Sequence, residues 1–190
     1  MRVGGISQNE KFKKTVQLLS RDLKYKGSIC NIYDDTVKVG DNIAHWDYMS
    51  KCDAAAIVPI LPNGKIVMVR QYRLAVDKWT IEIPAGKLDR DDDFYTCAKR
   101  ELEEETGYKS DNIDFLCDIY TAAAFCDEVV RIFVATDLKE GKQHFDRDEE
   151  IVAEEWDIED LLKEIYKGEI KDSKSVSGIL AYYNKYIKNK

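Results

Sequence analysis

The alternation of apolar and polar positions along the chain predicts many short strands and a few helices. Short runs that are apolar throughout, or that alternate with polar residues, are typical of strands when turn residues bound them. The turn residues at 40–42 and at 62–64 predict that the runs on either side of each form a hairpin. The runs lie at residues 28–38, 43–50, 54–61, 65–72, 79–83, 115–121, 128–135 and 151–156.

Longer stretches with apolar residues at helical spacing predict helices around Glu10–Leu23, Ile158–Tyr166 and Val176–Ile187. A further helix has signals at both ends. Asp91–Asp93 suit a helix N-terminus through capping and the macrodipole, and Gly107 suits the position just after the last turn. The order is strands, one helix, strands and then helices, which predicts an α+β layered domain and not a doubly wound sheet.

Length and charge limit the classes of protein that fit. The chain has 190 residues and is 44% hydrophobic, enough for a folded core in one domain or in one domain with an appendage. Its formal net charge is −7 at pH 7, so we expect no nucleic-acid partner and no anionic membrane surface. A small phosphorylated substrate stays open, because a bound metal ion inverts the local field.

Targeting signals and cysteines favour a cytoplasmic protein. The start of the sequence shows no apolar segment of the signal-peptide kind, and no apolar run reaches the roughly 18 residues of a membrane span. The cysteines number 5 and form no CxxC pair, which is typical of reduced thiols and not of a zinc cluster.

The segment from Gly86 to Tyr108 carries the most informative chemistry. On the expected helix, Glu101, Glu104 and Glu105 lie three and four residues apart, so their side chains share one face. An oxygen-only ligand set suits hard cations such as Mg²⁺ or Mn²⁺. A solvated helix face also carries glutamate runs, and neighbouring glutamates repel each other by only about 0.2–0.5 kcal/mol per pair. The glutamates alone therefore leave both interpretations open.

Two neighbours of these glutamates favour a metal site. Arg100 can pair with one of the acids and hold it in a single rotamer. Gly86 permits a close backbone turn, which allows the carbonyl of Ala85 to face a metal ion as well.

This segment resembles the signature of the Nudix hydrolases. That signature is Gly, five residues, Glu, seven residues, Arg-Glu, an aliphatic residue, any residue, Glu-Glu, any residue, Gly and an apolar residue. One position departs from it, because Asp92 stands where the family has its first Glu. Aspartate keeps the charge with a shorter reach, so we expect activity to survive. The matching residues are Gly86, Arg100, Glu101, Leu102, Glu104, Glu105, Gly107 and Tyr108.

The resemblance implies a fold and a reaction. The Nudix fold is a mixed β-sheet sandwiched between helices, which agrees with the expected order of elements. Mg²⁺, or else Mn²⁺, would bind Glu101, Glu105 and the carbonyl of Ala85. Glu104 would be a support or a further ligand, and it joins Arg100 in the implied catalytic set. The implied reaction is hydrolysis of a diphosphate bridge to two phosphomonoesters.

A wider resemblance is to one branch of the family, the ADP-ribose pyrophosphatases. It is carried by Arg70–Arg73, by Trp79–Gly86 and by Asp127-Glu128 ahead of an apolar strand. The branch implies a nucleotide sugar as the substrate. ADP-ribose leads, with AMP and ribose 5-phosphate as the products.

In that branch a hairpin near the N-terminus, here about residues 28–50, is exchanged across a homodimer and helps to bind the nucleoside. We therefore expect an N-terminal extension with this β-hairpin over residues 1–50 and a Nudix hydrolase domain over residues 51–190. Trp46 lies in the hairpin, where it either stacks on the adenine or packs as an ordinary strand residue.

Two arginines and one acid are candidates for the site that binds the substrate. Arg70 and Arg73 lie three residues apart on an expected strand, so they point to opposite faces. The resemblance places Arg73 towards the substrate phosphate, where a guanidinium offers bidentate contacts. Arg70 either binds substrate or forms a surface salt bridge. The resemblance implies that Glu82 holds the residues that bind the substrate in place.

The general base is expected in the acidic loop before Ile151, because the family carries an acidic residue in a flexible loop there. Glu149 is the first choice and Glu150 the second. A solvated acidic loop with no catalytic part would show the same run of residues, at 146–150.

The sequence leaves the terminal sugar of the substrate open. The branch often has Ser-Pro-Gly where this chain has Ala122–Ala124. GDP-mannose and ADP-glucose therefore stay open beside ADP-ribose. Two other classes of protein also remain. A non-catalytic nucleotide-sensing module usually loses acids that are present here, and a hydrolase of nucleoside triphosphates usually lacks the N-terminal hairpin.

Overall fold

The computed structural model of the chain describes residues 15–144 and 150–188. The chain divides into two compact units, the first made of residues 1–51 with 124–126 and the second of residues 52–123 with 127–190. The strands are β1 Val16–Lys26, β2 Cys30–Val39, β3 Asn42–Lys51, β4 Ala54–Pro59, β5 Ile66–Arg73, β6 Lys78–Glu82, β7 Ala85–Lys87, β8 Tyr108–Lys109, β9 Asn112–Tyr120, β10 Val129–Thr136, β11 Lys139–Glu140 and β12 Ile151–Trp156. The helices are α1 Phe94–Thr106, α2 Ile158–Lys167 and α3 Ser173–Tyr182, which continues as a π-helical turn over Tyr183–Ile187.

The first unit is built on an antiparallel sheet in the order β1-β2-β3. β2 and β3 form the hairpin that the turn at 40–42 predicts, with a continuous register from Cys30 opposite Lys51 to Val39 opposite Asn42. Gly40 has φ +59°, a left-handed conformation that glycine adopts without a steric penalty.

The helix expected around Glu10–Leu23 is wrong over the described residues from 16 onward, because this stretch is β1. Residues 10–14 of that expectation lie outside the described residues. Leu18, Leu19 and Leu23 are spaced as on a helix face, but β1 pairs with β2 along its length. The pairing is irregular between Leu18 and Ser20 and again between Leu23 and Tyr25. Each irregularity shifts the alternation of sides, so the period of two that marks a strand is missing from the sequence.

The second unit is centred on a mixed sheet in the order β7-β4-β10-β9. β4 and β10 are parallel, and the other neighbouring pairs are antiparallel. A second sheet has the order β12-β5-β6, and β11 pairs with β8 in a short ladder. In β10, Phe133 and Ala135 pack with the buried face of α1, while Ile132 and Val134 pack with residues of α2 and α3. Helices therefore cover both faces of the mixed sheet, which confirms the predicted α+β fold.

Helix α1 has the ends that the sequence predicts. Asp93 is the N-cap, and its side chain accepts a hydrogen bond from the backbone N–H of Thr96 at 2.7 Å. Gly107 takes the left-handed conformation after the last turn, with φ 75°. Helices α2 and α3 also lie close to their expected positions. Within the described ranges, no helix has the length and apolar character needed to cross a bilayer.

Candidate functional site

The centre of the site is the contact between helix α1 and Ala85–Gly86 of the short strand β7. We call these two residues the β7 turn, because the chain passes here from the sheet of β6 to the sheet of β4. β7 lies against β4 with Ala85 opposite Ala56 and Gly86 opposite Ala55. The backbone N–H of Ala85 donates to Oε2 of Glu105 at 3.0 Å. This bond joins the β7 turn to a carboxylate in the last turn of α1, so the position of each depends on the other.

Gly86 is required by the approach of Glu101. A Cβ atom built on Gly86 would overlap the carboxylate of Glu101, with Oε1 as the nearest atom. Its φ is not in the left-handed region, so the glycine here provides space and not an unusual conformation. The Glu101 side chain therefore lies directly against the backbone of the turn.

Arg100 holds the acids of α1 together. Its Nη1 donates to Glu101 Oε1 at 2.6 Å and to Glu104 Oε2 at 2.9 Å. Its Nη2 donates to the carbonyl of Lys87 at 3.2 Å, and Nε lies 3.4 Å from Asp92 Oδ2. Burial alone would lower the pKa of Arg100, but Glu101 and Glu104 outweigh it and raise that pKa above its ordinary value.

Asp92, the position that departs from the family signature, is thus part of this cluster. It reaches Arg100 with its side chain, and its backbone N–H donates to the carbonyl of Asp89 at 3.2 Å. The shorter acid keeps a contact with the arginine and lies within the turn before the helix.

The donor set at this centre fits a hard divalent cation. Glu101 and Glu105 are 8% and 4% exposed, and the carbonyl of Ala85 belongs to the turn that they contact. Carboxylate and carbonyl oxygens are the ligands that such cations prefer. Yet within residues 15–144 and 150–188 no three His, Cys, Asp or Glu side chains form a ready-made metal cage. Arg100 pairs with two of the carboxylates, those of Glu101 and Glu104.

A second charged cluster surrounds Glu82, which is 3% exposed. Arg73 donates to it through Nε at 2.8 Å and Nη2 at 2.7 Å, and Thr80 Oγ1 donates at 2.7 Å. The ammonium of Lys174 contacts Glu82 Oε2 as well. Burial alone would raise the pKa of Glu82, but the bonds from Arg73 and Lys174 outweigh burial and hold that pKa far below its ordinary value. Glu82 is therefore a buried anion between two cations.

The Glu82 cluster lies beside the α1 centre. The charge of Glu105 contributes to the raised pKa of Arg73, after the larger effects of the Glu82 hydrogen bond, burial and the Glu82 charge. Glu82 at the end of β6 is also followed three residues later by Ala85 of β7, so the two clusters are close along the chain. The structure brings Arg73, Glu82 and the α1 acids into one region of the second unit.

Of the other site residues expected from the sequence, Arg70 takes no part in these two clusters. Arg70 points to the opposite face of β5, where it makes a bidentate pair with Glu154 of β12 at 2.7 and 3.0 Å. Trp46 belongs to the first unit, is 47% exposed, and lines an open groove of about 720 Å³ with Tyr48 and Phe125. Glu150 is exposed at the start of β12, and Glu149 lies outside the described residues.

Sequence reasoning missed contacts made by residues far along the chain. Lys174 contacts Glu82 from 92 residues away, and Gln143 Nε2 donates to the carbonyl of Glu105 at 2.9 Å from 38 residues away. The backbone N–H of His144 also donates to the carbonyl of Glu104 at 3.1 Å. No local pattern marks a lysine or a glutamine for such contacts, so only the tertiary fold reveals them.

The chain is similar in sequence and in fold to several known proteins. A model of the NUDIX domain family matches residues 51–176. The chain is 32% identical over 164 residues to the ADP-ribose pyrophosphatase of Bacillus subtilis (strain 168), covering 85% of this chain and 89% of that one. It is 35% identical over 173 residues to the methanol dehydrogenase activator of Bacillus methanolicus, covering 90% of each. A crystal structure of an ADP compounds hydrolase shares the fold, with a TM-score of 0.81, 18% identity, and coverage of 92% of this chain and 95% of that one.

Proposed function

Because this chain belongs to the Nudix family, we propose that it hydrolyses the diphosphate bridge of a nucleoside diphosphate sugar. ADP-ribose is the leading substrate, cleaved to AMP and ribose 5-phosphate. The observation that carries the proposal is the pair of buried carboxylates, Glu101 and Glu105, held against the turn of Ala85 and Gly86. Buried acids with a backbone carbonyl beside them suit a metal that binds phosphate oxygens.

We propose Mg²⁺ as the cofactor, with Mn²⁺ as the alternative, held by Glu101, Glu105 and the carbonyl of Ala85. When bound, such an ion polarises phosphoryl oxygens and lowers the pKa of the attacking water. Glu104 supports this set or joins it as a further ligand. Arg100 contacts Glu101 and Glu104, and so it limits the rotamers that these carboxylates adopt.

The remaining roles in the reaction fall to residues around this centre. Arg73 uses Nε and Nη2 on Glu82, which leaves its Nη1 group to donate to a substrate phosphate. A general base that takes the proton from the attacking water is expected from the acidic loop, with Glu149 as the first choice and Glu150 as the second. Arg70 is bound to Glu154, which supports the salt-bridge interpretation over the substrate interpretation.

One observation supports ADP-ribose as the substrate, and a second defines the alternatives. The relative from Bacillus subtilis carries the name ADP-ribose pyrophosphatase and aligns along most of its length. The residues Ala122–Ala124 stand where a Ser-Pro-Gly loop is expected, so GDP-mannose and ADP-glucose are the alternatives at the terminal sugar. The three alanines supply no side-chain donor for a sugar hydroxyl, so the loop selects by shape and backbone.

We further propose that the protein works as a homodimer. The first unit exposes apolar side chains along β1, and exposed apolar patches of this kind commonly mark protein interfaces. Leu18, Leu19 and Leu23 are 46%, 48% and 51% exposed. Trp46 is proposed to contact the nucleoside base from the groove that it lines. The cysteines are all free thiols, which supports a cytoplasmic location.

The first test is a Mg²⁺-dependent hydrolysis panel with ADP-ribose, ADP-glucose, GDP-mannose, NADH, diadenosine polyphosphates and nucleoside triphosphates, read by chromatography. Glu105→Gln should lower kcat on the best substrate at least about 100-fold, because it removes a ligand charge. Its melting temperature should stay within a few degrees, because Gln can still accept from Ala85.

The matched control is Glu103→Gln, two residues before Glu105 and on a different side of the same helix, where the glutamate pairs with Lys109 at 2.8 Å. It should keep kcat within about twofold, as is usual for surface substitutions. Near-normal turnover in Glu105→Gln would show that the metal assignment is wrong. No hydrolysis across the panel, with nucleotide binding retained, would contradict the enzyme and favour a sensing module.

A further inference from the structure

We propose that Lys174, in the first turn of α3, is a positioning residue that prepares Arg73 for the substrate phosphates. The inference rests on the role of Arg73 under the proposed function. Lys174 is nearly buried, with 14% of its side chain exposed, and it contacts both Glu82 Oε2 and, at 3.0 Å, Asp172 Oδ2. Lysines are rarely buried unless they are paired, so this placement calls for a reason.

The first step of the argument concerns the charge of Glu82. Its carboxylate is 4% exposed and receives two cations, Arg73 and Lys174. A buried carboxylate needs this compensation, because its hydration is lost on folding. If Arg73 were the only cation beside Glu82, its guanidinium alone would balance the negative charge of the carboxylate. A substrate phosphate would then compete with Glu82 for Arg73.

The second step concerns the orientation of the Arg73 guanidinium. Arg73 Nη2 and Lys174 both contact Oε2 of Glu82, while Arg73 Nε and Thr80 Oγ1 contact Oε1. Both oxygens are thus held, so the plane of the carboxylate is fixed. The bidentate contact in turn fixes the plane of the guanidinium, and with it the direction of the remaining Nη1 group.

The third step concerns the attachment of α3. Asp172 is the N-cap of this helix and accepts from the backbone N–H of Ser175 at 3.0 Å and from its hydroxyl at 2.6 Å. The hydroxyl oxygen of Ser175 accepts from the backbone N–H of Ile83 at 2.8 Å. The start of α3 is therefore fastened to the residues just before the β7 turn. Lys174 projects from this fixed point to Glu82.

The test compares Lys174→Met with the wild-type protein on the best substrate of the panel. Methionine keeps the length and apolar stem of lysine and removes its charge. We expect KM to rise about tenfold with kcat within about twofold, because binding that is shared by substrate and transition state is weakened. Lys174→Arg should restore at least half of the lost affinity. Lys163→Met on α2 makes the same change at an exposed lysine paired with Asp160 and should match the wild type.

A double-mutant cycle asks whether Lys174 acts through Arg73. Arg73→Lys alone should raise KM while it keeps a cation beside Glu82, and adding Lys174→Met to it should change KM by less than about twofold, because the two changes then share one cause. A purely structural lysine would instead lower the melting temperature of Lys174→Met and leave its KM unchanged. That result overturns the inference, and so would fully additive effects in the cycle. If Lys174→Met does not fold, Lys174→Gln is judged by the same criteria.

The results that would overturn the proposed function differ from those that would overturn the Lys174 inference alone. A wild-type protein that neither cleaves nor binds any nucleotide of the panel would overturn both proposals. An active wild type with an unchanged KM in Arg73→Lys would remove Arg73 from the substrate site, and Lys174 with it. A raised KM in Arg73→Lys, together with a wild-type KM in Lys174→Met, would overturn the Lys174 inference alone.

Discussion

At the scale of single residues, Gly86 gives the sharpest structural prediction. Gly86→Ala puts a methyl group where the Glu101 carboxylate lies, so either the turn or the glutamate must move. Because Glu101 is a proposed metal ligand, we expect kcat to fall at least about tenfold. Steady-state kinetics with a titration of Mg²⁺ would measure the loss and any weaker metal affinity.

Gly64→Ala is the matched control for that variant. Gly64 has φ +84° and nothing within 4 Å of a built Cβ atom, so alanine there meets strain but no neighbour. It should lower the melting temperature while kcat stays within about twofold. An unchanged kcat in Gly86→Ala would mean that Glu101 moves without consequence for the reaction.

Residues with local signals could be assigned from the sequence, and residues without them could not. The sequence predicts a cluster of carboxylates on α1, because helix periodicity alone brings Glu101, Glu104 and Glu105 together. The structure shows how close the cluster is. Lys174 carries no such signal, because its partner Glu82 is distant in the chain and meets it only through the packing of α3 on the sheet.

At the scale of elements, the N-cap of α1 is a test of what holds the acidic helix in place. Asp93→Ala removes the side-chain bond to the backbone of Thr96, and we expect the melting temperature to fall by about 2–4 °C.

Asp157→Ala is the control, because Asp157 is the N-cap of α2 but makes no side-chain cap bond. Its melting temperature should change by about 1 °C or less. Equal losses would show that charge near a helix end matters more than the bond. Thermal unfolding followed by circular dichroism measures both.

The predictability of each element follows from where its determinants lie. Helix α1 and strand β12 were predicted closely because caps, turn residues and periodicity are all local. Strand β1 was predicted as a helix because its two pairing irregularities with β2 erase the alternation, and only the partner strand shows where they fall. The three strands of the first sheet could therefore not be predicted from the sequence pattern.

At the scale of the whole molecule, the first unit is proposed to carry the dimer contact. A chain that begins at Cys52 lacks the sheet of β1, β2 and β3, and we expect it to run as a monomer on a sizing column. The full chain, of 21.9 kDa, should run as a dimer. The truncated chain should also show a raised KM, because Trp46 is lost with the sheet. A folded truncated monomer with wild-type KM would show that the first unit takes no part in substrate binding.

The parallel pairing of β4 with β10 has a consequence for the order in which the chain folds. Ala54 pairs with Val130, so the central sheet closes only after a long loop has formed, and such distant pairings are slow. On the ribosome, α1 emerges while Phe133 and Ala135, which pack against its buried face, have not yet been synthesised. We expect the acidic helix to dock on the sheet late in biogenesis, after most of the protein has been synthesised.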